Sequence, residues 1–305
     1  MELVVGGTGF IGQALLGRMP PGSARVLTRD PAKAARLKQS GHEAVVGDLL
    51  APETLGAACA GASHVYHLGQ VYFQQRTGRN THYAPLEIEA TRNLLVAARE
   101  ARVSQVIYLG ILGTRPDAKG FGRTRWEVEE LLRARGVPVT ILRAGTVVGL
   151  GGYGFRTLFD TVRRWPVVFY LGPGTQRDQP LWIEDMVTYL LAVRAQPWAL
   201  DRTFDCGGDT LTYTEMVDQI GEVLGRRPLK IALPPALMAF AARWLQGLLP
   251  YTAGVAADAV ATRTEDTMCS ETAIRELVPL EVLSFREGVR RVAQALHPQA
   301  LRGKG

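Results

Sequence analysis

At 305 residues, 47% of them hydrophobic and 21% charged, the chain can bury a sizeable core and reads as one large domain with an appended lobe, or as two domains. No run approaches the roughly 18 consecutive apolar residues of a membrane span, and a strand pattern begins at once without a basic leader; the expectation is an unexported, cytoplasmic protein. The net charge of +6 comes mainly from arginines spread along the sequence, and the three cysteines, Cys59, Cys206 and Cys269, are scattered. This argues against a disulfide framework, a cysteine metal site or a nucleic-acid surface, and favours a phosphorylated small ligand.

The strand LVV runs into GGTGFIG and then into a helical pattern. Gly6, Gly9 and Gly12 in this setting supply a tight turn, a close backbone approach to a pyrophosphate and tight packing of helix on strand, with helix N–H groups turned toward the anion. The expected cradle comprises Gly6, Thr8, Gly9, Phe10, Ile11 and Gly12. The next strand, ARVLT, ends in TRDP. An arginine here pairs with a 2′-phosphate and an acid with a 2′-hydroxyl. Because Arg29 comes first, NADP is favoured over NAD; the other reading leaves Arg29 a solvated cation, with Asp30 or Pro31 opening a helix. EAVVG leads to Asp48 and Leu49, where Asp48 either meets the adenine amino group or serves as a plain helix cap before APETL.

SHVYHLG is the fourth strand and closes on Leu68 and Gly69. His64 and His67, three apart on a strand, face opposite ways and are not read as metal ligands. EATRNLLVAARE, SQVIYLG, a helix carrying Val128, Leu131 and Leu132, and VPVTILR continue the alternation. Together they predict a doubly wound parallel Rossmann sheet with a smaller, interleaved C-terminal lobe. The cofactor domain is expected at residues 1–149 with 181–207 returning to it, and the second lobe at 150–180 and 208–305, with helices near 213–225, 235–248 and 284–296. The apolar segment PPALMAFAARWLQGLLP, interrupted by Arg243 and Gln246, reads first as lobe core. Its other readings are a substrate cover, a peripheral membrane contact or a subunit contact.

GGTGFIG, TRDP, GDL, VYHLGQ, ATRNLLVAA, VIYLG, RTRWEVEELLRARGVPVTILRAG and QPLWIEDM together resemble the atypical and extended short-chain dehydrogenases. The nearest likeness is to the group containing NmrA-like NADP-binding proteins and the nucleotide-binding accessory subunit of respiratory complex I, and it covers roughly residues 1 to 225. The resemblance implies a serine after the fifth strand and a Tyr-x-x-x-Lys on the next helix. This sequence puts Gly110 and Ile111 at the serine, Phe121 at the tyrosine and Arg125 at the lysine. Phenylalanine has no proton to give, and a guanidinium does not titrate near neutrality. Arg125 would either hold the nicotinamide ribose or pair on the helix surface with Glu129 at i+4. The resemblance also places Ala144 to Val147 beside the nicotinamide carboxamide; Asp185, where relatives also carry an acid, reads as a helix cap and lobe-packing device.

Tyr72, His82, Tyr83, Tyr153 and Tyr170 are candidate replacement acids, each read first as packing, and Tyr108 reads as core. These residues leave two functions open. One is an NADP(H)-dependent oxidoreductase with a nonstandard acid acting on an apolar carbonyl, or on a quinone-like acceptor that can protonate itself without a tyrosine. The other is a catalytically silent NADP(H)-binding sensor or assembly module, since three groups that act as a unit are missing.

Overall fold

A computed structural model describes residues 1–69, 83–134, 136–234 and 265–296. In chain order the first strands are β1 (Glu2–Val5), β2 (Ala24–Thr28), β3 (Glu43–Val46), β4 (His64–His67), β5 (Gln105–Ile111) and β6 (Val139–Ala144). The later ones are β7 (Val147–Val148), β8 (Val167–Leu171), β9 (Arg177–Asp178), β10 (Leu181–Trp182), β11 (Arg202–Cys206), β12 (Leu211–Thr212) and β13 (Leu229–Leu233). The helices of the first half are α1 (Phe10–Arg18), α2 (Pro31–Gln39), α3 (Leu55–Cys59), α4 (Tyr83–Glu100) and α5 (Gly120–Arg133).

The chain divides into two units: Met1–Arg143 with Val187–Asp205, and Ala144–Met186 with Cys206–Gly305. Seven strands form one sheet in the order β11-β6-β5-β4-β1-β2-β3. The pairings β1–β2, β1–β4, β2–β3 and β4–β5 are parallel, with Glu2 level with both Ala24 and His64. β1 is buried along its whole length and β5 over all but its last residue, whereas the edge strand β3 is exposed at both ends. Central strands of a parallel sheet are covered on both faces, so they are apolar throughout and do not alternate. The strand order reverses between β1 and β4, and in open α/β sheets ligands bind at such a switch point, beyond the carboxyl ends of the strands.

Local chemistry fixes the ends of the elements. The Asp30 side chain accepts the N–H groups of Ala32 and Lys33, and Pro31 takes the first helical position of α2, where its missing N–H costs nothing. Farther along the sheet, the buried Gln105 amide donates to Thr140 Oγ1 and to the Val193 carbonyl, and its oxygen accepts the Ala195 N–H, which ties the returning segment to β5 and β6.

In the second unit, α6 (Tyr153–Arg164), α8 (Tyr213–Leu224) and α10 (Phe285–Leu296) pack Phe155, Phe159, Val162, Met216, Val217, Ile220, Val289 and Val292 into one core. α7 (Ile183–Ala192) and α9 (Ala273–Leu277) complete the α-helices of the described residues. α8 opens with a capping box between Thr212 and Glu215 and stops at Gly225 in the left-handed region, the two signals that define a helix at both ends. Asp185 accepts the N–H of Leu283, pinning the segment before α10.

The chain passes from one unit to the other after residues 143, 186 and 205, where the sequence pattern predicts 149, 180 and 207. The difference comes from β7 and β10, which pair with each other and so draw the residues after β6 and before α7 into the second unit. The helix expected at 235–248, with Arg243 and Gln246, lies outside the described residues. Among the described residues no helix is long and apolar enough to cross a membrane.

Candidate functional site

The turn after β1 has no space for a side chain at Gly6 or at Gly12. Gly6 has φ +84°, and a Cβ there would lie 2.6 Å from the Gly69 nitrogen at the end of β4. A Cβ on Gly12 would lie 2.3 Å from the Gly6 carbonyl oxygen. Only glycine permits α1 and the β4 loop to approach the turn this closely. Gly9 is the exposed N-cap of α1 and provides no side-chain cap, so the first N–H groups of the helix remain for an anionic ligand. Thr8, Phe10 and Ile11 are half-buried around it, and the Thr8 carbonyl accepts the Gln13 amide. Leu68 is half-buried and its N–H donates to the Val5 carbonyl. A pyrophosphate fits this cradle because its bare backbone and helix end supply what such a group needs.

At the carboxyl end of β2, Arg29 is half-exposed and lies 3.7 Å from an Asp48 carboxylate oxygen. The other Asp48 oxygen accepts the Leu50 N–H. Asp30 opens α2 as its cap, which leaves Arg29 as the side chain next to the strand end with its charge toward solvent. Leu49 is a core residue whose carbonyl accepts the Asn93 amide.

Between β4, β5, α4 and α5 the first unit buries a polar cluster. Arg125 is fully buried. Its Nη2 lies 2.8 Å from Glu87 Oε1, its Nη1 donates to the Tyr108 hydroxyl at 2.9 Å, and its guanidinium sits 4.7 Å over the Phe121 ring. This corrects the expected surface pair with Glu129: the α5 stripe that holds Val128 and Leu132 faces inward, so Arg125 enters the core and takes its counter-charge from α4. Arg125 Nε and His67 Nδ1 are buried without a hydrogen-bond partner among the described residues. His67 contacts Thr91 through Nε2 at 3.3 Å, and its ring stands 5.3 Å from that of Tyr108. Burial, reinforced by Arg125, pulls His67 down to about 3, so it is neutral. Burial pushes the Tyr108 hydroxyl up to about 12 against the pull of Arg125, leaving it a neutral phenol.

A serine at Gly110 would meet another ionic group, because a Cβ there would lie 3.1 Å from Glu129 Oε1. Glu129 is fully buried; it accepts from Arg143 at 2.6 Å and from Arg133 at 2.9 Å. Phe121 is half-buried, with its ring 6.3 Å from that of the half-buried Tyr83. Tyr170 packs 6.2 Å from Tyr213, and Tyr153 opens α6. Tyr72 and His82 lie outside the described residues. Ala144 ends β6, and Val147 pairs in register with Leu181.

Glu87 is the site residue that sequence reasoning missed, and Glu129, read as a surface partner, is buried; both left a signal. Glu87 shares its α4 stripe with Ala90, Thr91 and Leu94, and Glu129 shares its α5 stripe with Val128 and Leu132. An acid on an apolar stripe implies a buried cation nearby.

The family model described as NAD(P)H-binding matches residues 6–158. A ketoreductase from Stigmatella aurantiaca, acting on a 4-hydroxy-2-methyl-3-oxo-4-farnesyl-3,4-dihydroquinoline-1-oxide, is 29% identical over 129 residues, 42% of this chain and 37% of that protein. A photosystem II assembly factor from Cyanophora paradoxa is 29% identical over 170 residues, 53% of this chain and 51% of the factor. The chain thus spans about half or less of the length of the curated relatives it matches. Among solved structures, an NADPH-dependent quinone oxidoreductase from Escherichia coli in complex with NADPH superposes with a TM-score of 0.78 at 19% identity, covering 96% of this chain and all of that one.

Proposed function

The chain belongs to the NAD(P)H-binding family, and on that premise we propose that it is an NADPH-dependent reductase of an apolar carbonyl or quinone-like acceptor, lacking the Ser–Tyr–Lys set. The observation that carries this reading is the turn after β1, where Gly6 and Gly12 leave no room for a side chain of their own and let the backbone and the open start of α1 face a pyrophosphate. When bound, the cofactor supplies hydride. Arg29 favours the 2′-phosphorylated form: it stands at the end of β2 with half its side chain exposed, while Asp30 is engaged in capping α2.

The residues at the usual acid positions supply no proton. Phe121 has none, and Arg125 is sealed against Glu87 and Tyr108. A quinone suits such a site, because hydride reduction yields a hydroquinone anion that takes its proton from water. The quinone oxidoreductase and the quinoline-oxide ketoreductase among the similar proteins support this acceptor class.

A second reading, a nucleotide-binding module without turnover, is favoured by the closed Arg125 pair and by the likeness to an assembly factor. Purified protein with NADPH separates the two. Nicotinamide absorbance that falls only after a quinone or enone is added supports the reductase. Tight NADPH retention with no consumption across that panel supports the module. Arg29→Ala is expected to weaken NADPH about tenfold to a hundredfold, the value of a charge-assisted bond, and to leave NADH affinity unchanged.

A further inference from the structure

β8 and β13 form a two-stranded parallel sheet in the second unit, with Val167 level with Leu229 and Phe169 level with Ile231. Partners on parallel strands share a face. Val168 is fully buried, so its face turns toward α6 and α8, and the opposite face carries Val167, Phe169, Leu229, Ile231 and Leu233. This outer face is wholly apolar among those residues, with Phe169 57% and Leu229 61% exposed, and Trp165, just before β8, 63% exposed. Parallel sheets are ordinarily covered on both sides. An apolar face of this kind with a polar rim marks an interaction surface.

The rim is cationic. The two strands start side by side, the Leu229 N–H donating to the Pro166 carbonyl at 2.8 Å. Arg164 lies two residues before Pro166, and Arg226 and Arg227 three and two residues before Leu229, so all three exposed arginines lead into this end of the strand pair. Acids on the flanking helices are already engaged: Asp160 with Arg156 and Arg163, Asp218 with Lys230, Glu222 with Arg286, and Glu215 in its capping box. The three guanidinium groups make no ion pair or hydrogen bond with the described residues.

We propose that this edge, Trp165, Phe169 and Leu229 rimmed by Arg164, Arg226 and Arg227, docks on an anionic lipid surface. The indole and the apolar side chains enter the headgroup boundary, and the arginines meet lipid phosphates. Charge selects this occupant over a second copy, because the acids of the flanking helices are already engaged and a second such face offers the arginines no free carboxylate from them. The proposal concerns the second unit and is independent of the reductase reading.

Co-sedimentation of the full chain with vesicles tests it, using phosphatidylcholine alone and phosphatidylcholine mixed with phosphatidylglycerol. Binding is expected to the mixed vesicles and to fall with salt. Arg164→Gln/Arg226→Gln/Arg227→Gln should lower partition about a hundredfold, at roughly tenfold or less per basic residue. Trp165→Ser/Leu229→Ser should lower it as well, with the thermal midpoint of each variant confirming that it folds. Absence of binding to the anionic vesicles overturns the proposal, as does equal binding to both vesicle types or equal binding by the arginine variant. A dimer in solution that Trp165→Ser/Leu229→Ser dissociates would assign the face to a second copy instead and also overturn it.

Discussion

The turn after β1 and the cluster around Arg125 belong to the same unit and treat side chains in opposite ways. At the turn, Gly6 and Gly12 remove them so that backbone can approach backbone and helix N–H groups stay open. In the cluster, Arg125, Glu87, Tyr108, His67 and Thr91 fill the space and pair through Arg125 and His67, with Arg125 Nε and His67 Nδ1 left without a hydrogen-bond partner among the described residues. The proposed cofactor cradle requires shape, and its glycines are present. The positions that resemblance assigns to catalysis require titratable groups reachable from outside, and here they hold a sealed ion pair and a half-buried phenyl ring.

The largest expected effect lies at the turn. Gly12→Val drives side-chain atoms into the Gly6 carbonyl, and overpacking of this kind costs about 1–3 kcal/mol even in an adaptable core. Nucleotide binding should disappear in a calorimetric titration, and a variant retaining wild-type affinity would refute the cradle. Next comes Glu87→Ala, which strands Arg125 in the core; breaking a buried pair on one side costs about 3–5 kcal/mol, read from urea unfolding. The double variant Glu87→Leu/Arg125→Met should recover most of that loss, because an apolar pair of similar volume needs no counter-charge. If the double variant stays as unstable as the single one, the pair is tied to more than its own charge.

His67 sharpens the contrast through pH. Its folded value lies near 3 against an ordinary 6.5, so in that interval the unfolded chain binds a proton that the folded chain refuses. Its contribution to stability is therefore complete above 6.5 and is lost as pH falls toward 3, with a slope of up to about 1.4 kcal/mol per pH unit. The difference in unfolding free energy between wild type and His67→Gln should change across that window and be constant above it. The smallest effect is that of Arg29→Ala on stability. Its pair with Asp48 is solvent-exposed at 3.7 Å, and such pairs contribute about 0–1 kcal/mol, so the melting temperature should barely move while nucleotide preference shifts.

Much of the sheet was legible because its signals are local. ARVLT became β2 residue for residue, and Thr212 to Gly225 carries its own start and stop around α8. The short strands β7, β9, β10 and β12 were not legible. Two residues make no period, and each exists only because a distant partner, such as Leu181 for Val147, lies in register with it. The outer face of β8 and β13 was hidden for the same reason: the pairing of VVFYL with LKIAL joins segments about sixty residues apart.

The sequence alone determined the parallel sheet and placed Gly6, Gly9 and Gly12 at the turn after its first strand, since burial on two faces demands continuous apolar runs. The resemblance it carries implies that Phe121, Arg125 and Gly110 stand where relatives have a tyrosine, a lysine and a serine. Only the tertiary structure decided where the charges went. An i+4 spacing offers Arg125 to Glu129, but helix rotation turns both into the core, where Glu87 and Tyr108 lie near the one and Arg143 and Arg133 near the other. Buried ions choose partners by proximity in space, because desolvation leaves each charge dependent on whatever opposite charge the packing brings within reach.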